Sequence, residues 1–324
     1  MLQDAKSILI TGGCGTLGRA ILKRATDEKW GCKITVFSRD AMKHLAVKKM
    51  FPHVDSVIGD IRDATTLYNV MAGKDVVVHA AAVKHIPVSE KNSIDTYQVN
   101  VEGSLNVAQA AIQHNVKHVL GISTDKACHA ANAYGSTKYL LEKIFQEFSR
   151  LNLSTQFHLV RYGNVLESTG SVIEVWKNQI TRGEPIKITD LEMTRFYISP
   201  SQAVDLVLSA LETPSGQIFI PKMKALSIKK LAEYTVADVI DIPVEIVPIR
   251  PGEKKHETLL TLEEGWYASD CAEFGEFKPL HSDYFILKPT TSERYPDPIS
   301  PYTSDIADQL TKDELTDLLN DDHG

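Results

Sequence analysis

The sequence predicts an α/β protein built on a doubly wound parallel sheet, and three observations lead to that expectation. Short apolar runs alternate with stretches in which apolar residues recur every three or four positions, as strands followed by crossover helices do. A glycine-rich turn separates the first apolar run from the first helical pattern, and polar residues gather directly after several later runs. A chain of 324 residues, 43% of them hydrophobic, is long enough to bury a large core.

Composition and charge narrow the class of protein. A net charge of −7 and a pI near 5.9 argue against nucleic acid as a partner. The four cysteines are widely spaced and form no Cys-x-x-Cys pair, so we expect neither a metal site nor a disulfide framework. The first residues lack the apolar core of a signal peptide, and no apolar run reaches membrane-spanning length. We therefore expect a cytoplasmic protein that does not bind membranes.

The first strand, Ser7 to Thr11, leads into a glycine-rich turn and then an amphipathic helix. Glycines at these positions allow a tight turn, close approach to a pyrophosphate and close packing of the helix on the strand. Such a triplet alone is often only a turn, but between a first strand and a first helix it predicts a dinucleotide-binding (Rossmann) site. The expected cofactor contacts here are Gly12, Gly15, Thr16, Leu17 and Gly18.

The second strand, Lys33 to Phe37, ends where a Rossmann fold recognises the adenosine ribose. A carboxylate there accepts from a free 2′-hydroxyl, whereas an arginine accommodates a 2′-phosphate. Ser38 and Arg39 together favour NADP over NAD, with Asp40 nearby as the competing signal. The alternative interpretation of these residues is a solvent-facing turn.

The strand Asp75 to His79 opens into a run of small residues. Ala80, Ala81 and Ala82 would let the backbone pass over the nicotinamide side of a cofactor. Lys84 and His85 follow, and they would contact the phosphate or sugar of a substrate, or equally lie on the surface of a loop.

The most informative stretch runs from Ser123 to Lys138, directly after the strand Lys117 to Ile122. Tyr134 and Lys138 are four residues apart and share one face of a helix, where the ammonium would lower the pKa of the phenol towards the range of a working base. Asp125 and Lys126 add an acid and a second amine at the end of the strand. The alternative interpretation is a purely structural one, in which these residues form a capped helix start and Tyr134 and Lys138 lie in solvent.

Beyond Arg161 the strand–helix rhythm changes, and basic residues are scattered among short strands. Arginine forks match phosphate oxygens, so we expect an anionic ligand, although a solvated basic face is the alternative. We predict a cofactor domain over residues 1–165, to which residues of about 196–220 return, and a smaller interleaved substrate lobe with a C-terminal wrap over 166–324. The lobe residues singled out for substrate are Asn164, Ser171, Val172, Thr189, Met193, Arg195, Arg250 and Glu253.

These motifs occur in one order along nearly the whole chain, and the series resembles a known family. The glycine turn and Tyr134-x-x-x-Lys138 are shared by all extended short-chain dehydrogenase/reductases. The narrower marker is Thr124-Asp-Lys before the tyrosine, which resembles the UDP-N-acetylglucosamine 4,6-dehydratases, particularly the inverting type of pseudaminic acid synthesis. One departure is Glu167-Ser-Thr169, where that family usually has Gly-Ser-Arg.

The resemblance implies a role for each matching residue. Lys138 would hold the nicotinamide ribose, and Tyr134 would remove the proton of the sugar 4-hydroxyl while hydride passes to NADP. Lys126 would then take the C5 proton, Asp125 would protonate the departing 6-hydroxyl, and Thr124 would bond near the 4-oxygen. Asp60 and Ile61 would contact the adenine, and Asn100 would support the catalytic helix.

The resemblance also implies partners and leaves alternatives. The substrate would be a UDP-sugar, with UDP-N-acetylglucosamine first, and the product would be a 4-keto-6-deoxy sugar with C5 inverted. A 4-epimerase or a 5,6-dehydratase on the same fold is the second reading, and a non-catalytic NADP-binding regulator is a distant third. The family forms homo-oligomers, dimers or hexamers, through helices equivalent to residues 90–114 and 131–151.

Overall fold

A nine-stranded sheet forms the centre of this computed structural model, which describes residues 2, 4–151, 154–168, 170–236, 243–270 and 283–321. The strands of the described chain are β1 (Ser7–Thr11), β2 (Lys33–Ser38), β3 (Asp55–Ile58), β4 (Val76–His79), β5 (His118–Thr124), β6 (Gln156–Tyr162), β7 (Asn164–Val165), β8 (Ile186–Ile188), β9 (Thr194–Ile198), β10 (Ile218–Pro221), β11 (Ala225–Ser227), β12 (Val244–Ile246), β13 (Thr258–Leu260), β14 (Ala268–Asp270), β15 (Tyr284–Leu287) and β16 (Tyr302–Thr303).

Helices cover both faces of this sheet and build the C-terminal lobe. They are α1 (Thr16–Asp27), α2 (Ala41–Met50), α3 (Ala64–Met71), α4 (Ile86–Lys91), α5 (Ser93–Tyr97), α6 (Gly103–Gln113), α7 (Ala133–Ser149), α8 (Val172–Thr181), α9 (Pro200–Ala210), α10 (Ile228–Val236), α11 (Leu262–Gly265) and α12 (Lys312–Asn320). A capping box begins the last of them, since the Thr311 hydroxyl and the Glu314 side chain each accept from the other's backbone amide.

The order of the main sheet is β14-β15-β10-β6-β5-β4-β1-β2-β3. The seven strands from β10 to β3 pair in parallel, which confirms the predicted doubly wound fold. Two short strands, β15 and β14, extend the edge in antiparallel fashion and were not predicted, because runs of three or four residues carry no readable period. The strand order reverses between β1 and β4, where doubly wound sheets bind their ligands at the carboxyl ends of the strands.

The chain returns from the C-terminal half to complete the sheet domain. Helix α9 packs against α1, where Arg24 donates to Asp205 at 2.8 Å, and β10 then joins the sheet beside β6. The lobe has its own apolar cluster around Trp176, Leu226 and Leu231. The core of the main sheet is separate and larger. Two packed cores therefore meet along the carboxyl edge of the sheet.

A π-helical turn, Gln98–Glu102, lies between α5 and α6. Such turns are rare and frequently mark functional positions. This one carries Asn100, which is 1% exposed.

Candidate active site

A cleft of about 850 Å³ opens at the carboxyl ends of β1, β4 and β5 and continues into the C-terminal lobe. Most of the residues singled out from the sequence line this cleft, whereas Asn100 and Asp125 do not. The predicted residues that line it are Gly12, Gly15, Thr16, Leu17, Gly18, Ser38, Arg39, Asp60, Ile61, Ala80, Ala81, Ala82, Lys84, His85, Thr124, Lys126, Tyr134, Lys138, Asn164, Ser171, Val172, Thr189, Met193, Arg195, Arg250 and Glu253.

The glycine-rich turn leaves no room for side chains. Gly12 has a φ of +70°, and a Cβ on it would lie 2.7 Å from the backbone nitrogen of Ala81. A Cβ on Gly18 would lie 2.2 Å from the carbonyl oxygen of Gly13. No side chain caps the amino terminus of α1, so its amide groups face the cleft as a pyrophosphate site would require.

The tip of β2 presents more cations to the cleft than the sequence indicated. Asp40 caps α2 by accepting from the amides of Met42 and Lys43, which uses the carboxylate that competed with an NADP assignment. Lys43 lines the cleft beside Arg39, and we missed it. Its position four residues after Arg39, on the first turn of a helix, was the signal that could have found it.

The loop after β4 is held in place by Asn100. The Asn100 amide accepts from the backbone nitrogen of Val83 at 2.8 Å and donates to the Val83 carbonyl at 3.0 Å. It also donates to the Thr137 hydroxyl on α7 at 2.9 Å. Asn100 therefore fixes this loop against the helix that carries Tyr134 and Lys138, and it does so without touching the cleft.

The end of β5 holds a group of four residues that we call the Lys126 cluster: Asp125, Lys126, Asn164 and Glu257. The Lys126 ammonium donates to Asp125 Oδ1 and to Asn164 Oδ1, both at 2.9 Å, and lies 3.6 Å from Glu257 Oε1. Burial alone would lower the pKa of Lys126, but the charges of Asp125 and Glu257 outweigh it and hold that pKa above its ordinary value. Lys126 is thus a protonated ammonium in this structure.

Asp125 is fully buried and reaches the cleft only through its neighbours. Its Oδ1 accepts from the Thr124 hydroxyl at 2.8 Å, and Thr124 lines the cleft. Its Oδ2 accepts no hydrogen bond from any described residue. The expectation that Asp125 itself faces a substrate is therefore not met in this conformation, because Thr124 lies between them.

The electrostatics of Tyr134 differ from the sequence-based expectation. Burial raises the pKa of Tyr134 to about 12, and the groups that oppose this are the Lys126 charge and a hydrogen bond with Thr124. Lys138 is not among them. Burial lowers the pKa of Lys138 itself to about 8, with the Glu142 carboxylate opposing that shift. The expectation was wrong because spacing along a helix does not reveal how deeply a phenol is buried.

On the lobe side of the cleft, some polar side chains are hydrogen-bonded within the protein and others keep donors for a ligand. Arg195 uses its guanidinium within the protein, donating to the carbonyls of Thr194 at 2.7 Å and Lys254 at 2.9 Å. Ser171 has a buried hydroxyl that bonds to no described residue. Arg250 is 56% exposed on its side chain and approaches Glu253 at 3.9 Å. Of the two arginines predicted in the lobe, Arg250 is therefore the one with donors free for a phosphate.

A second group of buried charges lies deeper, and we call it the Arg161 cluster: Glu142, Arg161 and Glu264. Arg161 donates to both oxygens of Glu142, at 2.9 and 2.7 Å, and to both oxygens of Glu264, at 3.0 and 2.8 Å. Glu142 stands on α7, Arg161 on β6 and Glu264 on α11, so the cluster joins the sheet domain to the lobe. The sequence analysis missed it, because Glu264 is 103 residues from its partner.

Two further features of the described chain bear on its class. Among the described ranges, no group of histidine, cysteine and acidic side chains could hold a metal ion. No helix in that part of the chain is both long enough and apolar enough to cross a bilayer.

The parallel sheet, the glycine turn at its switch point and the helix bearing Tyr134 and Lys138 define an extended short-chain dehydrogenase/reductase. Residues 8–278 match the family described as polysaccharide biosynthesis protein, and the chain belongs to that family. The resemblance drawn from the motifs is confirmed at this level.

Named relatives cover almost the whole chain. An inverting UDP-N-acetylglucosamine 4,6-dehydratase of Campylobacter jejuni (serotype O:23/36) is 35% identical over 99% of this chain and 99% of its own. A UDP-glucose 4-epimerase of Rickettsia massiliae is 36% identical over 97% and 95%. Among solved structures, Pen from Bacillus thuringiensis is 32% identical, with a TM-score of 0.89 over 99% of both chains. The UDP-glucose 4-epimerase of Thermus thermophilus with NAD, 20% identical with a TM-score of 0.67 over 77% and 88%, shares the fold.

Proposed function

We propose that this protein is an NADP-dependent dehydratase that converts UDP-N-acetylglucosamine into a UDP-4-keto-6-deoxy-hexosamine with inversion at C5. The observation that carries the proposal is the pair formed by Lys126 and Asp125, hydrogen-bonded at 2.9 Å beside the cleft and connected to Tyr134 through Thr124. An elimination needs an acid and a base in addition to the group that starts an oxidation. The names of the Campylobacter relatives support the same reaction.

Each step is assigned to residues of this chain. Bound NADP would accept hydride from C4 of the sugar and return it to C6, and C5 would then take back a proton on the opposite face, which balances the proton that the 4-hydroxyl gives up. Tyr134 removes the 4-hydroxyl proton, helped by the Lys126 charge and the Thr124 hydroxyl that already favour its phenolate. Lys138, with a pKa of about 8, is the ammonium available to hold the nicotinamide ribose. The new 4-keto group acidifies C5 and so permits elimination.

The ion pair must exchange a proton before it can eliminate. Lys126 is an ammonium and Asp125 its counter-ion, so an N–H bond of Lys126 breaks and an O–H bond forms on Asp125 along the 2.9 Å contact. The neutral amine then takes the C5 proton while the C6–O bond breaks. The proton of Asp125 reaches the leaving hydroxyl through Thr124, and water departs. The pair has then returned to its starting charges, which makes the ion pair the resting form.

The residues that would face a 2′-phosphate on the adenosine ribose support NADP over NAD. Arg39 and Lys43 line this part of the cleft, and the Asp40 carboxylate is occupied as the cap of α2. The narrow glycine turn fits a pyrophosphate at the amino terminus of α1. Denaturing the purified protein and identifying the released nucleotide tests this assignment, and recovery of NAD alone would overturn it.

The reaction is tested by incubating the NADP-loaded protein with UDP-N-acetylglucosamine and following the sugar by NMR. We expect a 4-keto-6-deoxy product, whose C5 configuration is read from the same spectra. The matched control is Tyr134→Phe, which keeps the ring and removes the acidic hydroxyl. A product that keeps its 6-hydroxyl and differs only at C4 would reject the dehydratase.

That outcome would support the second candidate, a nucleotide-sugar 4-epimerase. The relatives named UDP-glucose 4-epimerase favour it, since their identity to this chain, 36%, lies between the 35% and 39% of the two dehydratases. An epimerase needs Tyr134 and Lys138 but has no use for the exchange between Lys126 and Asp125. Its turnover would therefore survive Lys126→Ala.

We also propose that the protein works as a homo-oligomer in the cytoplasm. Five large apolar or aromatic residues are exposed in the stretches that the resemblance assigns to subunit contacts: Ile94 (75%), Leu151 (56%), Tyr97 (45%), Tyr139 (42%) and Leu140 (42%). Light scattering at micromolar concentration tests the assembly, and a monomer there would count against it.

A further inference from the structure

Glu257 is the second carboxylate at Lys126, and the sequence analysis passed over it in favour of Glu253. It is 3% exposed. Its Oε1 lies 3.6 Å from the Lys126 ammonium and 3.8 Å from Nε of Arg195, and its Oε2 lies 3.8 Å from the Lys254 ammonium. Three cations from three parts of the chain therefore face one buried carboxylate.

The backbone, and not the side chain, fixes the position of Glu257. Its amide donates to the Ser304 hydroxyl at 2.9 Å, and the Ser304 amide donates back to its carbonyl at 2.9 Å. The contacts of the carboxylate itself, at 3.6 to 3.8 Å, are longer than hydrogen bonds. Glu257 thus acts on Lys126 through its charge.

We propose that Glu257 is a positioning residue for the elimination step: its charge holds the Lys126 ammonium beside Asp125 and raises the pH at which Lys126 loses its proton. The inference rests on the proposed dehydratase function. It assigns no contact between Glu257 and the substrate.

The direction of the effect follows from the charges around the pair. Asp125 and Thr124 lie on one side of Lys126, Asn164 on another, and Glu257 brings Arg195 and Lys254 with it. The Lys126 charge also acts on the phenols of Tyr134 and Tyr197. Removing an anion makes a nearby acid lose its proton more readily, so Glu257→Gln lowers the pKa of Lys126. Removing the cation of Lys254 instead raises the pKa of Lys126.

The first experiment needs no substrate. The reactivity of Lys126 towards a small acylating reagent is measured by mass spectrometry across pH in the NADP-loaded protein. We expect the midpoint of Lys126 labelling to fall by about one to two pH units in Glu257→Gln and to rise in Lys254→Gln. An unchanged midpoint in both folded variants overturns the proposal. If Glu257→Gln does not fold, the upward shift in Lys254→Gln decides it.

The second experiment follows the elimination itself. In single turnovers with UDP-N-acetylglucosamine, the pH profile of elimination should move down in Glu257→Gln, and it should move further than the profile of C4 oxidation, which Lys126 affects only through Tyr134. Glu257→Asp, which keeps the charge, should restore the position of the profile. The matched control is Glu264→Gln, a buried carboxylate of the same lobe paired with Arg161, which should lower the Tm and leave the profile unmoved. If wild type forms no 4-keto-6-deoxy product, the proposed function fails, and the labelling result still decides the role of Glu257.

Discussion

The Arg161 cluster and the Lys126 cluster both bury charges where the sheet domain meets the lobe, but only one of them is closed. In the Arg161 cluster every carboxylate oxygen receives a guanidinium hydrogen bond of 2.7 to 3.0 Å, and Arg161 and Glu142 are 0% exposed. In the Lys126 cluster, Glu257 stays at 3.6 Å and Oδ2 of Asp125 accepts no hydrogen bond from a described residue.

The difference separates a group that holds the fold from one that can change its protonation. A buried pair with complete hydrogen bonding stabilises one charge state and resists any other. A cluster with longer contacts and an open oxygen leaves its proton free to move at modest cost. Glu142 of the closed cluster also acts on the cleft, since its charge opposes the lowering of the Lys138 pKa.

The largest expected effect comes from opening the closed cluster. Arg161→Met leaves two buried carboxylates without their cation, although Glu142 keeps the Ser123 hydroxyl and Glu264 keeps the Thr261 amide, and it should cost about 3–5 kcal/mol of the free energy of unfolding. Arg24→Met is the matched control, because it removes an arginine from a half-exposed ion pair with Asp205 and should cost less than about 1 kcal/mol. Urea unfolding measures both, and equal losses would mean that closure adds nothing.

Removing the cation of the open cluster should cost less stability than that. In Lys126→Ala, Asp125 keeps the Thr124 hydrogen bond and Glu257 keeps Arg195 and Lys254, so we expect a loss of about 1–3 kcal/mol. The same unfolding experiment checks this. A loss as large as that of Arg161→Met would show that both clusters are structural.

A smaller effect concerns Lys138, the lysine on which Glu142 of the closed cluster acts. The pKa of Lys138 is lowered to about 8, so its ammonium deprotonates as the pH rises through that value. Because the ammonium is assigned to the nicotinamide ribose, kcat/KM should fall above pH 8 by about tenfold per pH unit, as for a single ionisation. A pH profile of the purified enzyme tests this. A profile that stays flat well above that pH would remove Lys138 from the assignment.

The sequence predicted the sheet and most of the cleft, because both follow from local patterns. Parallel strands end at one edge, so residues after β1, β2, β4 and β5 had to meet there. What it missed depends on contacts between distant parts of the chain. Lys126 and Glu257 are brought together only by the way the lobe folds back, and no period along the chain carries that information.

Two errors concern depth, not location. The resemblance implied that Asp125 protonates the departing 6-hydroxyl, yet Asp125 is fully buried and Thr124 lies between it and the cleft. Tyr134 was expected to have a lowered pKa, but burial outweighs its neighbours and raises it to about 12. Desolvation depends on the whole fold, so residue spacing could not reveal either.

The most direct test of the central claim separates oxidation from elimination. In a single turnover with UDP-N-acetylglucosamine, the absorbance of reduced nicotinamide is followed in NADP-loaded wild type, Tyr134→Phe and Lys126→Ala, each checked by its Tm. We expect no reduced cofactor in Tyr134→Phe. In Lys126→Ala, we expect reduced cofactor to accumulate while elimination slows by roughly 10²–10⁴-fold, the usual contribution of a general base. A well-folded Lys126→Ala protein that dehydrates the sugar at the wild-type rate would contradict the account.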